Sequence, residues 1–176
     1  MLQGTLDVTN HATTGVAYVR LILKGTPLAG HESIVNQGIS MQVEYETKNG
    51  QPLNPLAVEQ GTDFIATVTL TAPPAAGSID RVALTQVFPS GWEIRNMRFE
   101  QLSEKESGYE YRDIRDDRVF TYCSLSPQSV NHYRIELNAA YVGKYYLPAI
   151  YASAMYDETI NAVVPGKWVE VKEPVK

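Results

Sequence analysis

Apolar residues recur at every second position along most of this chain, and no stretch sustains the three-to-four-residue spacing of an amphipathic helix. That property restricts the chain to folds built from half-buried strands. In ISMQVEYET, Ile39, Met41, Val43 and Tyr45 share one side, while Ser40, Gln42, Glu44 and Glu46 share the other. Lys48-Asn49-Gly50 then turns the chain. DFIATVTLTA repeats the pattern with Phe64, Ala66, Val68 and Leu70 and ends at the breaker Pro73-Pro74. RVALTQVF follows and stops at Pro89-Ser90-Gly91. RVFTYCSL and YRIELNAAYV are rich in β-branched and aromatic residues and are separated by the polar loop SPQSVN. Gly143 marks a turn or bulge before KYYLPAIYASAMYD, and KWVEV is a last short strand after Pro165-Gly166. Roughly eight or nine such segments predict an all-β protein, an antiparallel β-sandwich or barrel.

The first thirty residues read differently. TLDVTN and GVAYVRLILKGTP look like a strand pair, and LAGHESIVNQG is a polar, glycine-containing linker. A boundary near Gly30 therefore divides residues 1–30, a strand segment from the end of a preceding domain plus linker, from a sandwich domain over residues 31–176. MLQGTLDVTN has neither the basic n-region nor the apolar h-region of an export signal, and the opening reads as the start of a fragment. At 176 residues the chain supports one well-buried main domain. Fifteen Lys and Arg against 20 Asp and Glu, with no basic cluster, argue against a nucleic-acid partner. The longest mostly apolar run, GVAYVRLILKG, is interrupted by Arg20 and falls short of the roughly 20 residues that span a bilayer.

Four features of the chain could carry chemistry. GYEYRDIRDDRVFTYC, Gly108 to Cys123, is dense in carboxylates, arginines and aromatics, but every acid has an arginine within two residues. Asp116-Asp117 suits a hairpin turn between two strands, whereas a glycosidase-like pair needs two acids whose environments push their pKa values apart. His11, His31 and His132 are scattered without the spacing of metal ligands, and the lone Cys123 excludes an intrachain disulfide. Cys123 alternates with Phe120 and Tyr122 as a small buried hydrophobe would. No nucleophile elbow, P-loop or dinucleotide fingerprint occurs, so no catalytic residue, cofactor or metal is expected and the chain reads as a non-enzyme.

In YYLPAIYASAMYDETINAVVPGKW, Tyr145, Leu147, Ala149 and Tyr151 would share one face of a strand and Tyr146, Pro148, Ile150 and Ala152 the other, so neither face is polar. Such a strand is central in a sandwich or covered by another domain. Met155 and Tyr156 approach a loop, where they either cap a core or project into a partner. Trp92 and Trp168 fall at strand starts and belong to the core or its edge.

LTQVFPSGWEIRN, YEYRDIRDDRVFTY, LNAAYVGKYYLPAIYASAMYD and VPGKWVEV resemble, in this order, the C-terminal macroglobulin-like domain of bacterial α2-macroglobulins, envelope-associated protease traps, over about Gly38 to Val171. The resemblance implies a macroglobulin-like sandwich that packs against a thioester domain and neighbouring macroglobulin-like domains until a protease cuts a bait region. It implies a periplasmic or cell-envelope location and a target protease engaged only indirectly. The thioester motif itself is absent, since Cys123 is followed by SLSPQ. AMYD matches the segment that keeps water from the reactive bond, which makes Met155 and Tyr156 shielding residues by resemblance. Two departures bear on this. Ser153-Ala154 stands where the family often has an acidic residue, and in a branch that lost the thioester the same pair would be interdomain packing. The alternative is a stand-alone binding module, an adhesin or carbohydrate-binding sandwich with Tyr109, Tyr111 and Tyr133 as a stacking platform.

Overall fold

The computed structural model describes residues 5–16, 18–22, 25, 28–75, 77–95 and 108–174. Among these are thirteen strands and no helix. In chain order they are β1 (Val35–Gln37), β2 (Ser40–Thr47), β3 (Ala57–Glu59), β4 (Asp63–Thr71), β5 (Ile79–Val87), β6 (Trp92–Ile94) and β7 (Tyr111–Ile114). Then come β8 (Arg118–Leu125), β9 (Val130–Ala139), β10 (Gly143–Leu147), β11 (Ile150–Ala154), β12 (Asp157–Val164) and β13 (Lys167–Lys172).

Three sheets result, ordered β1-β12-β11-β5-β8-β7, β10-β13-β3 and β2-β4-β9-β6. All strand pairs are antiparallel except β3 with β13. The four-stranded sheet forms one wall, and its inner face meets both of the others. Towards the six-stranded sheet, Met41, Val68 and Leu70 pack with Val82, Leu84, Cys123 and Ile150. Towards the three-stranded sheet, Tyr45, Phe64 and Ile135 pack with Leu147, Val169 and Val171. The alternation in the sequence sets this arrangement: Phe64, Ala66, Val68 and Leu70 are all fully buried, as the period-two reading requires. Phe64 and Trp92 meet edge-to-face at 5.0 Å and 81°, a pairing that adds about 0.5–1.5 kcal/mol to area burial alone.

Two expectations change. KYYLPAIYASAMYD is not one strand. Pro148 has no N–H to donate to a ladder, and the chain there leaves β10, paired with β13, to become β11, paired with β5 and β12. The lack of a polar face has the same origin, since Leu147, Ala149, Ile150 and Ala152 line cores beneath two sheets and Tyr151 is half exposed. The second change concerns the first thirty residues. TLDVTN lies in no strand, nor do the described residues of GVAYVRLILKGTP; Ala17, Leu23, Lys24, Thr26 and Pro27 lie outside the described residues. A strand needs a neighbouring ladder, and none of the three sheets includes residues from this segment. Leu6, Val8, Tyr18, Leu21 and Ile22 are exposed accordingly. Within the expected linker, Val35–Gln37 instead forms β1 against β12.

The segment is tied to the sandwich at its end. Gly30 N–H donates to the Tyr146 hydroxyl at 2.7 Å, which donates to Glu32 Oε1 at 2.7 Å. That bond from Tyr146 holds the Glu32 carboxyl below the usual glutamate range. Tyr146 in turn meets Trp168 edge-on at 5.6 Å.

Candidate functional site

Met155 and Tyr156 form the two-residue turn between β11 and β12, with Ala154 opposite Asp157. Their side chains project away from both cores and are 51% and 76% exposed. Tight hairpin turns favour small polar residues, so a methionine and a tyrosine there place apolar surface in water without serving the turn.

The turn is supported from β5. The register of β5 with β8 shifts between Ile79 and Val82, so Asp80 and Arg81 bulge opposite Ser124. Arg81 adopts φ of 56°, in the left-handed region. Its N–H donates to Ser124 Oγ at 3.4 Å, and its C=O accepts the Met155 N–H at 3.0 Å. The guanidinium lies 5.2 Å from the Tyr156 ring centroid, a contact of about 0.5–1 kcal/mol at an exposed site. On the far side of the turn, Asp157 Oδ1 accepts from the Thr159 hydroxyl at 2.6 Å and the Thr159 N–H at 2.9 Å. These bonds hold the Asp157 carboxyl below its ordinary value. A shallow depression of about 380 Å³ adjoins the turn, between Tyr151, Ser153, Met155, Glu158 and Asn161. The backbone of the tip is thus fixed while its two largest side chains are left uncovered. Arg81 carries no local signal in the sequence, because a bulge in this register depends on the partner strand.

The other candidates resolve into structure. Asp116-Asp117 is the turn between β7 and β8, closed by Arg115 N–H donating to Arg118 C=O at 2.9 Å. Three of its acids are paired: Asp113 with Arg115 at 3.0 Å, Asp117 with Arg118 at 2.6 Å and, across the strand pair, Glu110 with the Ser124 hydroxyl at 2.5 Å. The Arg118 bond lowers the Asp117 carboxyl, the opposite of what a general acid requires. Cys123 is buried with Sγ 3.9 Å from the Val82 carbonyl, and burial pushes its thiol up, away from thiolate chemistry. His132 faces Thr69 Oγ1 at 3.0 Å through Nδ1, while His11 and His31 lie outside the strands; no metal-binding group of side chains occurs among the described residues.

The tyrosine platform does not exist. Tyr133 points from β9 into the core and is fully buried, whereas Tyr111 is exposed on β7 and stacks on Tyr122 at 5.9 Å. Alternation along β9 puts Tyr133, Ile135 and Leu137 on one inward face. Trp92 is buried at the start of β6, and Trp168 is 64% exposed on β13.

The fold and its ordered blocks find relatives. A family model, the bacterial α2-macroglobulin MG10 domain, matches residues 38–158. An α2-macroglobulin of Pasteurella multocida is 24% identical over 147 residues, covering 83% of this chain and 8% of that protein. An α2-macroglobulin homologue of Yersinia pestis is 22% identical over 185 residues, covering 92% and 9%. Among solved structures, native Escherichia coli α2-macroglobulin from domain MG7 to the C-terminus superposes with a TM-score of 0.72 at 16% identity, over 84% of this chain and 25% of that one. A Salmonella α2-macroglobulin mutant gives 0.71 at 16% identity, over 80% and 10%. The chain is a macroglobulin-like β-sandwich. It belongs to the bacterial α2-macroglobulin MG10 domain family, and it spans less than a tenth of the length of the curated relatives it matches.

Proposed function

We propose that this domain serves a bacterial α2-macroglobulin protease trap as a non-catalytic cover, docking against a thioester domain of the same polypeptide through Met155 and Tyr156. The observation that carries the reading is the pair itself: two large apolar side chains exposed on a turn whose backbone is held by Arg81, Ser124 and Asp157. A held backbone lowers the ordering cost of docking, and Met and Tyr are side chains that fill partner surfaces well. An activated acyl bond beneath such a cover survives because water is excluded. Bait cleavage would then shift the equilibrium from the docked to the open form. Residues 1–30 belong, in this reading, to the end of the preceding domain and a linker, and the trap works in the periplasm or cell envelope.

The test uses the full-length protein containing this domain. Tyr156→Ala combined with Met155→Ala raises the rate of methylamine incorporation before any protease is added, by roughly tenfold, which corresponds to about 1.4 kcal/mol of lost protection. Tyr156→Phe, which keeps the ring, leaves the rate near that of the parent. Unchanged reactivity in the double variant overturns the shielding role.

A further inference from the structure

A second opening lies on the other wall, along the outer edge of β2, and does not involve the Met155 turn. β2 ends the four-stranded sheet and has β4 on one side only. Its odd-numbered residues turn their backbone groups away from β4. Met41 N–H donates to Asn36 Oδ1 at 3.0 Å, Leu53 N–H donates to the Tyr45 C=O at 2.8 Å, and Thr47 N–H donates to the Gln51 C=O at 2.8 Å. The edge is therefore covered at both ends. Between the covers lie the Met41 C=O, both backbone groups of Val43 and the Tyr45 N–H, with no hydrogen-bond partner among the described residues. An open row of this kind is a template for another strand.

A groove of about 750 Å³ opens on this gap, with Val43, Tyr45, Pro52, Leu53, Pro55 and Lys167 in its walls. Lys167, from β13, is half-buried with its ammonium 5.2 Å from the Tyr45 ring centroid, and no carboxylate pairs with it among the described residues. Burial holds it below the ordinary lysine value. The remaining charges of the groove lie towards the outer face: Glu46 is engaged by Arg134 at 2.7 Å and Glu44 is exposed.

We propose that this edge takes an extended segment of a separate polypeptide, which pairs with β2 over about three residues and directs an acidic side chain inward to Lys167. Strand alternation sorts the incoming side chains. Those on the inner side meet Val43, Leu53 and the ammonium; those on the outer side meet Glu44, which disfavours acids there. A second copy of this chain is the poorer occupant. The inward residues of its own β2 are Met41, Val43 and Tyr45, none of which offers a carboxylate, and its Asn36 and 51–53 covers would oppose those already in place.

The probe is a fluorescent seven-residue peptide of threonine and valine with one central glutamate, titrated against the chain by anisotropy. Saturable binding is expected, weakened about tenfold when the glutamate is replaced by glutamine or when Lys167 is changed to Met, and restored by Lys167→Arg. Val43→Pro removes an outward N–H that β2 does not use in its own ladder, and it abolishes binding. Thermal unfolding of each variant separates lost binding from lost fold, and amide shifts at Val43 and Tyr45 on peptide addition locate the contact independently of any substitution. No saturation at millimolar peptide, equal binding of the glutamine peptide, or concentration-dependent self-association through β2 in place of peptide capture would each overturn the proposal.

Discussion

Gly91 shows how much one residue decides. Its carbonyl accepts the N–H groups of Ala140 and Tyr141 at 2.9 and 3.1 Å, and the Tyr145 ring lies so close that a Cβ on Gly91 would overlap its edge at Cε2. Tyr145 cannot easily withdraw, because its hydroxyl donates to the Val142 carbonyl at 3.1 Å. Gly91→Ala is therefore expected to cost about 2–3 kcal/mol, read as a lower urea midpoint with unchanged slope. In the sequence this glycine reads only as a breaker after Pro89-Ser90. A close approach between residues 54 positions apart leaves no local trace. Inward residues were a different matter: Ile39, Met41 and Tyr45, and every second residue from Phe64 to Leu70, are buried as their alternation indicates. Alternation is a local property, and it survives because one face of each strand must leave water.

At the scale of the strands, β5 carries both a device and a cost. Its inward residues include Val82, Leu84 and Gln86, with Phe88 just past its end; the first two belong to the core beneath the six-stranded sheet and Phe88 to the other core. Gln86 stands between them, fully buried, with no hydrogen-bond partner for its side-chain amide among the described residues. Gln86→Met conserves volume and removes those unmet groups, and is expected to raise stability by about 1 kcal/mol, measured by chemical denaturation. The same strand supplies the Arg81 bulge beneath the Met155 turn. That Met155 and Tyr156 approach a loop was legible from the sequence, which left open whether they cap a core or project outward; the shielding role came only from the resemblance of AMYD to its family. The bulge was not legible, because it is a mismatch between two strands distant in sequence. The acidic hairpin was legible as a turn, since Asp113 and Asp117 meet arginines one or two residues away, whereas the Glu110 partner, Ser124, lies across the strand pair.

For the molecule as a whole, the outer face of the four-stranded sheet joins all four strands through one carboxylate. Asp63 of β4 accepts from Asn138 of β9 at 2.7 Å, pairs with Arg95 beyond β6 at 3.3 Å and faces Lys48 beyond β2 at 3.9 Å. The Asn138 bond first, and then the two cations, hold its carboxyl below the ordinary aspartate value. A depressed folded-state pKa means that the stabilisation is complete above the unfolded value of about 3.9 and is lost as pH falls through the lower, folded one. Asp63→Asn should therefore flatten the decline of the urea midpoint between about pH 5 and pH 2, with a loss at pH 7 of about 1 kcal/mol at most because the side chain is partly solvated. Added salt should shrink the difference.

The change of sheet at Pro148 bears on how load passes through the domain. One uninterrupted stretch runs from β10 into β11 and out to the turn, so a pull on Met155 is resisted by the ladders of both sheets in series. Tension applied there would reach the Tyr146–Glu32 anchor, four residues before the start of β11, and so couple the turn to the segment that precedes β1.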